Sequence, residues 1–229
     1  MYNLIPFLFF IFLLNQYQVS HIPKYVALGD SLAVGFGAFW GCSYAKLYYR
    51  WLLECGKFGN LCYCNLGVLG WTSAELRSAI QCNYRYRKAI EEACIITLDI
   101  GGNDILRHKY CPDQLQGALA CFKENLHAIL HEIRCLNNQA QIYVMDLYNP
   151  YPCGHPMHKV AEAWVTAFND VIWSTLMVPQ YRLSGIANVY ASFKGNELTY
   201  TLSGYDNVHP STAGYRAIFD CFKGICRLP

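Results

Sequence analysis

Short apolar runs alternate with longer amphipathic stretches along almost the whole chain, and this alternation restricts the fold more than any other feature. The clearest run spans residues 94–100; it is apolar, rich in β-branched side chains and ended by Gly101 and Gly102, as a buried strand would be. Comparable runs at 25–28, 61–66, 141–147 and 187–191 bring the expected strands to five. Between them lie stretches with helical spacing: 44–54, from Thr72 or Ser73 to about 81, 84–92, 112–136, 158–177 and 210–226. In the longest, Leu115, Leu119, Phe122, Leu126, Ile129 and Ile133 recur at three- and four-residue intervals, which puts them on one face of a helix. Strands separated by helices pair in parallel and need cover on both faces. The expected fold is therefore α/β, a three-layer α/β/α sandwich around a five-stranded parallel sheet. With no repeat, linker or low-complexity tract, residues 21–229 read as a single domain.

Residues 1–20 stand apart. An apolar run from Ile5 to Leu14, broken only by Pro6, gives way to a polar tail ending at Ser20. About ten apolar residues fall short of the roughly 20 that span a bilayer; the length suits a secretory signal peptide cut near Ser20. The segment lacks the usual Lys or Arg, so an uncleaved N-terminal anchor is the rival reading. The expectation is a secreted or cell-surface protein with no stable membrane span after the leader is removed. A formal charge of only +2 shows no basic patch for nucleic acid, and none is expected as a partner. Twelve cysteines in an exported chain suggest some disulfides. Several, such as Cys94, Cys121, Cys135 and Cys221, fall in strand or helix patterns where free thiols serve as small hydrophobes.

In a parallel sheet, ligands collect beyond the carboxyl ends of the strands, and four clusters fall at such places. They are Gly29-Asp30-Ser31-Leu32 after the first strand, the segment from Asn65 to Thr72 after the second, Gly101-Gly102-Asn103-Asp104 after the third, and Asp206-Asn207-Val208-His209-Pro210 before the last helix. Ester hydrolysis needs this set of groups. A serine hydroxyl is a weak nucleophile until a base takes its proton, and a neutral imidazole suits that task. A carboxylate fixes the imidazole tautomer, and the oxyanion formed on attack needs positioned N–H donors. Ser31, His209 and Asp206 are the candidate nucleophile, base and acid. The Ser31 amide, the Gly70 amide and the Asn103 side chain are the candidate oxyanion donors. Asp99 and Asp104 are expected to make structural hydrogen bonds at the strand end, with Asp104 in a position to steady the loop.

These four clusters, in this order, resemble the conserved blocks of the GDSL, or SGNH, hydrolase family over roughly residues 24–222. The resemblance implies a flavodoxin-like sandwich and metal-free hydrolysis of esters or thioesters, with Ser31 as nucleophile and first oxyanion donor. It also implies that Gly70 and Asn103 are the other donors and that His209 is the base with Asp206 three residues before it. Gly70 fits the second block better than Gly67, because the pattern there runs N-x-x-x-x-G-x-T. No cofactor and no metal are implied, and the substrate is a small-molecule, lipid or carbohydrate ester. An acyltransferase on the same site and a glycan-binding module with a degenerate site are the alternatives.

Lesser signals read differently. Gly41-Cys42-Ser43-Tyr44-Ala45 approaches a nucleophile elbow but ends in Ala and follows no strand. Cys153, His155 and His158 have metal-like spacing but lack an evident fourth ligand, and read as a surface loop. Phe36, Trp71 and Tyr148, with Phe39, Trp40 and Tyr151, follow strand ends and are the candidates for an apolar acyl groove.

Overall fold

The computed structural model describes residues 22–203 and 207–227. The expected leader, residues 1–20, and Asp206 lie outside the described residues. In chain order the elements are β1 (Lys24–Gly29), α1 (Ser31–Val34), α2 (Tyr44–Glu54), β2 (Cys62–Asn65), α3 (Ser73–Cys82), α4 (Tyr84–Glu91) and β3 (Ala93–Asp99). There follow α5 (Gly102–Leu106), α6 (Pro112–Leu136), β4 (Gln141–Met145), α7 (His158–Ser174), β5 (Gly185–Ala187), α8 (Val189–Phe193) and α9 (Glu197–Tyr200). A two-stranded antiparallel ribbon, β6 (Thr201–Leu202) with β7 (Asn207–Pro210), leads into α10 (Thr212–Ile225).

The five long-range strands pair in parallel in the order β2-β1-β3-β4-β5. This is the doubly wound order whose switch point falls between β1 and β3. Residues after those two strands therefore face a common crevice, because the connections leave the sheet in opposite directions there.

Side-chain alternation along each strand divides the core in two. On β1, Val26 and Leu28 enter a cluster with Leu76 and Ile80 of α3, Ile90 of α4, and Leu126 and Ile129 of α6. Tyr25 and Ala27 point the other way, into a cluster with Tyr44 and Tyr48 of α2 and Tyr215 and Phe222 of α10. The buried Tyr25 hydroxyl is satisfied by Thr97 Oγ1 of β3 at 2.8 Å, so this polar group is accommodated in the core.

The fifth strand differs from the expectation of 187–191. It ends at Ala187, and Val189–Phe193 is helical. Asn188 caps this helix by accepting from Ala191 N at 3.0 Å, and Asp146 Oδ1 accepts from Val189 N and Tyr190 N at 2.7 and 2.9 Å. These side chains take up the free N–H groups of a first helical turn, and an apolar run gives no hint of them. The 158–177 helix likewise closes in a 3₁₀ turn over Thr175–Met177.

The cysteines also depart from expectation: all twelve are free thiols, and six of them are exposed. Geometry accounts for part of this. Cys121 and Cys135 both ride on α6, fourteen residues and so about 21 Å apart along the axis, whereas a disulfide needs Cα atoms within about 7 Å. Among the described residues, no helix is long and apolar enough to cross a membrane, and no group of His, Cys, Asp and Glu could hold a metal ion.

Candidate active site

Ser31 is the first residue of α1, a single turn that follows β1 directly. Asp30 starts this turn: its Oδ1 accepts from Leu32 N at 3.0 Å, and Gly35 closes it in the left-handed region. The turn is held from the β2 side as well. Asn65 Nδ2 donates to Ala33 O at 2.7 Å while Asn65 Oδ1 accepts from Gly67 N at 2.9 Å. Gly67 packs so closely here that a Cβ would lie 2.6 Å from Ala33 Cβ and 2.9 Å from Asp30 O. Its lack of a side chain is what lets the β2 loop seat the Ser31 turn.

The strand β7, immediately before α10, brings His209 to Ser31. This histidine is half-buried, with Nε2 3.0 Å from Ser31 Oγ. Asn207 Oδ1 lies 2.6 Å from His209 Nδ1 and also accepts from His209 N at 3.1 Å. An amide oxygen only accepts, so Nδ1 carries the proton and the lone pair of Nε2 faces Ser31 Oγ. The Phe36 ring covers the imidazole at 4.7 Å between centroids, and Tyr215 fixes Phe36 by donating to its carbonyl at 2.7 Å. Tyr148 donates to Val208 O at 2.8 Å and holds the strand itself. Burial pushes the His209 pKa below the ordinary 6.5, which favours the neutral imidazole that a base requires.

The third loop comes from β3 and α5. Asn103 Nδ2 donates to Asp30 Oδ2 at 3.1 Å and to Trp71 O at 2.9 Å, tying the β1, β2 and β3 loops together. Asp104 accepts from Ser73 N at 2.9 Å and from Ser73 Oγ at 2.5 Å, which clamps α5 to the start of α3. Gly70 is exposed, with φ +75. Its carbonyl accepts from Arg107 Nη2 at 2.9 Å, and its N–H makes no backbone hydrogen bond among the described residues.

Burial raises the pKa of several carboxyls, Asp30, Asp99 and Asp104 at this site among them. Burial pushes Asp30 up to about 7, against hydrogen bonds from Leu32 N and Ser31 that favour its charged form. Asp99, expected to be hydrogen-bonded, has two buried oxygens without a partner, and burial with the neighbouring Asp30 pushes it well up. Desolvation in such a place favours the neutral form of a carboxyl, because a buried charge is costly unless hydrogen bonds compensate it.

An open cleft lies beside Ser31, Asn103 and His209. Tyr148 and Tyr151 line it. Trp71 instead stacks on Tyr86 at 5.7 Å and packs on the core, while Phe39 and Trp40 stand 77% and 97% exposed and so leave the cleft to other side chains. Much of its wall comes from α5, which follows the third strand-end cluster, and from α6 and α7, which no strand-end motif marks. Asn207 also went unmarked, although an Asn two residues before a constrained His is the signature of a side-chain turn. Ser43 caps α2 by accepting from Lys46 N at 3.2 Å, a structural role for the elbow-like segment. His158 Nδ1 lies 2.7 Å from Tyr151 O and His155 Nδ1 accepts from Met157 N, so both histidines serve the loop.

The sequence model of the GDSL-like lipase/acylhydrolase family matches residues 27–217, a span that takes in Ser31, Asn103 and His209. The chain belongs to this family. It is a carboxylic ester hydrolase. Among relatives, the spore germination lipase LipC of Bacillus licheniformis is 27% identical over 207 residues, covering 85% of this chain and 92% of its own. Among solved structures, the lipase Lip_vut3 from a goat rumen metagenome is 25% identical, with a TM-score of 0.76 over 90% of this chain and all of that one. The acetylxylan esterase Axe2 of Geobacillus stearothermophilus shares the fold at 18% identity and a TM-score of 0.65, over 89% and 93% of the two chains.

Proposed function

We propose that this family member cleaves carboxylic esters, thioesters included, through an acyl-enzyme on Ser31. The observation that carries the reading is the 3.0 Å approach of His209 Nε2 to Ser31 Oγ, within reach for proton transfer. Ser31 Oγ attacks the ester carbonyl as its proton passes to His209 Nε2. The resulting imidazolium gives that proton to the leaving alcohol or thiol. Water, deprotonated by the same nitrogen, then attacks the acyl-enzyme, and the acid leaves as Ser31 recovers its proton. The Ser31 and Gly70 amides and the Asn103 side chain are the donors for the oxyanion, each worth about 3–4 kcal/mol where such donors have been removed in other enzymes. Asn103 now spends its amide on Asp30 and Trp71 O, so it must share or release one of these bonds as the oxyanion forms. Asp206 is assigned the role of stabilising the His209 cation from its place three residues earlier.

Replacing Ser31 with Ala is expected to abolish labelling by a fluorophosphonate probe and lower kcat by at least about 10³-fold. Full activity in that variant would remove Ser31 from the mechanism. The apolar run before residue 15 supports export, with a mature chain starting near residue 21; N-terminal sequencing of protein recovered outside the cell tests this.

A further inference from the structure

Bond cleavage at Ser31 requires space for a carbonyl and its two substituents, yet the cleft extends far beyond the reacting groups. Lys109, between α5 and α6, is the one lysine or arginine in its lining among the described residues, and Ser31, Asn103 and His209 line it as well. Beyond them the walls are Ile105 and Leu106 of α5, Leu115 of α6, and Ala161, Trp164 and Val165 of α7. The surface also deepens in one direction. Val160, on the outer turn of α7, is 42% exposed, whereas Val165 is 4% exposed and Leu115 is fully buried. Leu115 belongs to neither core cluster, so the cleft is what it faces. We propose that this apolar extension is an acyl-chain site and that the enzyme prefers esters of medium-length and longer fatty acids. Leu115, Ala161 and Trp164 would set the length that fits. The proposal rests on the ester-hydrolase reading with Ser31 as nucleophile.

Two arguments assign the extension to the acyl side of the ester and to hydrocarbon. First, His209 must stand beside the leaving oxygen to protonate it. His209 precedes α10, which packs on the sheet face of α2 and Tyr25, whereas the extension lies among α5, α6 and α7. Leu126 of α6 and Phe168 of α7 belong to the cluster on the opposite face. The substituent held there is therefore the one that stays on Ser31 after the alcohol leaves. Second, a sugar or other polyhydroxylated group would lose its hydration against these mostly apolar walls and find few polar partners in return, Lys109 and the Trp164 N–H among them. An acetyl group would not reach Leu115, Ala161 or Trp164 and would leave these apolar walls uncovered.

Hydrolysis of a straight-chain p-nitrophenyl ester series from acetyl to decanoyl, with each ester kept below its solubility limit, tests the proposal. Each methylene that moves from water into the cleft should raise kcat/KM about fourfold. The octanoyl ester should therefore exceed the acetyl ester by at least about 100-fold, allowing for incomplete burial. Ala161→Trp should lower the octanoyl-to-acetyl ratio by at least about 10-fold, and Ala161→Leu should lower it less. Because the ratio is read within one preparation, a loss of folded protein cancels. A series fastest on acetyl, a flat series, or a ratio unchanged in both variants would overturn the acyl-chain site while leaving the hydrolase intact. No turnover on any ester, with no fluorophosphonate labelling of Ser31, would overturn the hydrolase reading and this proposal with it.

Discussion

The Asp104–Ser73 clamp gives the most direct test of how the site is held. Asp104 is 7% exposed, and its two oxygens accept from Ser73 N and Ser73 Oγ. Ser73 Oγ in turn accepts from Asn125 Nδ2 of α6 at 3.0 Å. Three elements thus meet at one carboxyl, one residue beyond Asn103. Asp104→Ala removes both acceptors and leaves a buried N–H unsatisfied, for a loss of about 3–5 kcal/mol from two charge-assisted bonds. Ser73→Ala keeps the backbone bond and loses only the hydroxyl contacts. The Ser73 N–H bond is lost in both arms of the cycle that contain Asp104→Ala, so it cancels. The coupling energy then reports the Ser73 Oγ–Asp104 contact alone, at about 1.5–3 kcal/mol. Burial pushes the Asp104 carboxyl up, so the four proteins should be compared by urea unfolding at mildly alkaline pH, which favours its ionised form. Asp104→Ala should also lower kcat more than it raises KM, since a 1 Å shift of Asn103 is worth about 10²-fold in rate. A coupling energy below about 0.5 kcal/mol, the range of independent sites, would refute the clamp.

Three further tests follow from the same geometry. Gly67→Ala, whose Cβ would press on Ala33 and Asp30 O, should cost about 1–3 kcal/mol and about 10²-fold in kcat/KM by displacing Ser31. Gly70→Ala, with open space but φ +75, should cost only about 1–2 kcal/mol of backbone strain; equal losses of activity in the two would contradict the packing argument. Between the ordinary carboxyl value of 3.8 and about 7, the folded protein holds a proton on Asp30 that the unfolded chain has released. This group therefore lowers stability as pH rises through that window, by up to about 4 kcal/mol at about 1.36 kcal/mol per pH unit. The stability of Asp30→Asn relative to wild type should improve from pH 4 to pH 7.5 in urea titrations, and a constant difference would dismiss the effect. Thiol titration of the unreduced protein should count twelve cysteines after denaturation, with the six exposed ones reacting in the native state; a shortfall after denaturation would show disulfides.

Much of this architecture could be read directly from the chain. The 112–136 helix is explained by its apolar spacing and by Pro112 near its start, and both bounds agree with the structure. The 44–54 helix, capped by Ser43, agrees as well. Strand ends marked by glycine are enough to put Ser31 and Asn103 on one edge of the sheet. The fifth strand was misjudged because an apolar run of that length satisfies a strand or a buried helix equally. Asp146, more than forty residues away, decides between them by taking up two helical N–H groups.

Local patterning and chemistry thus determined the layers, the parallel sheet and the residue types at its edge, because periodicity and turn propensity act over a few residues. Tertiary structure decided what those residues do to one another. It set His209 against Ser31 across 178 positions of sequence and left the Asp99 carboxyl without a partner. It turned Trp71 into the core and drew much of the cleft wall from α6 and α7, which carry no motif. These outcomes depend on which surfaces meet when the layers close, and burial, desolvation and cavity shape exist only once they have.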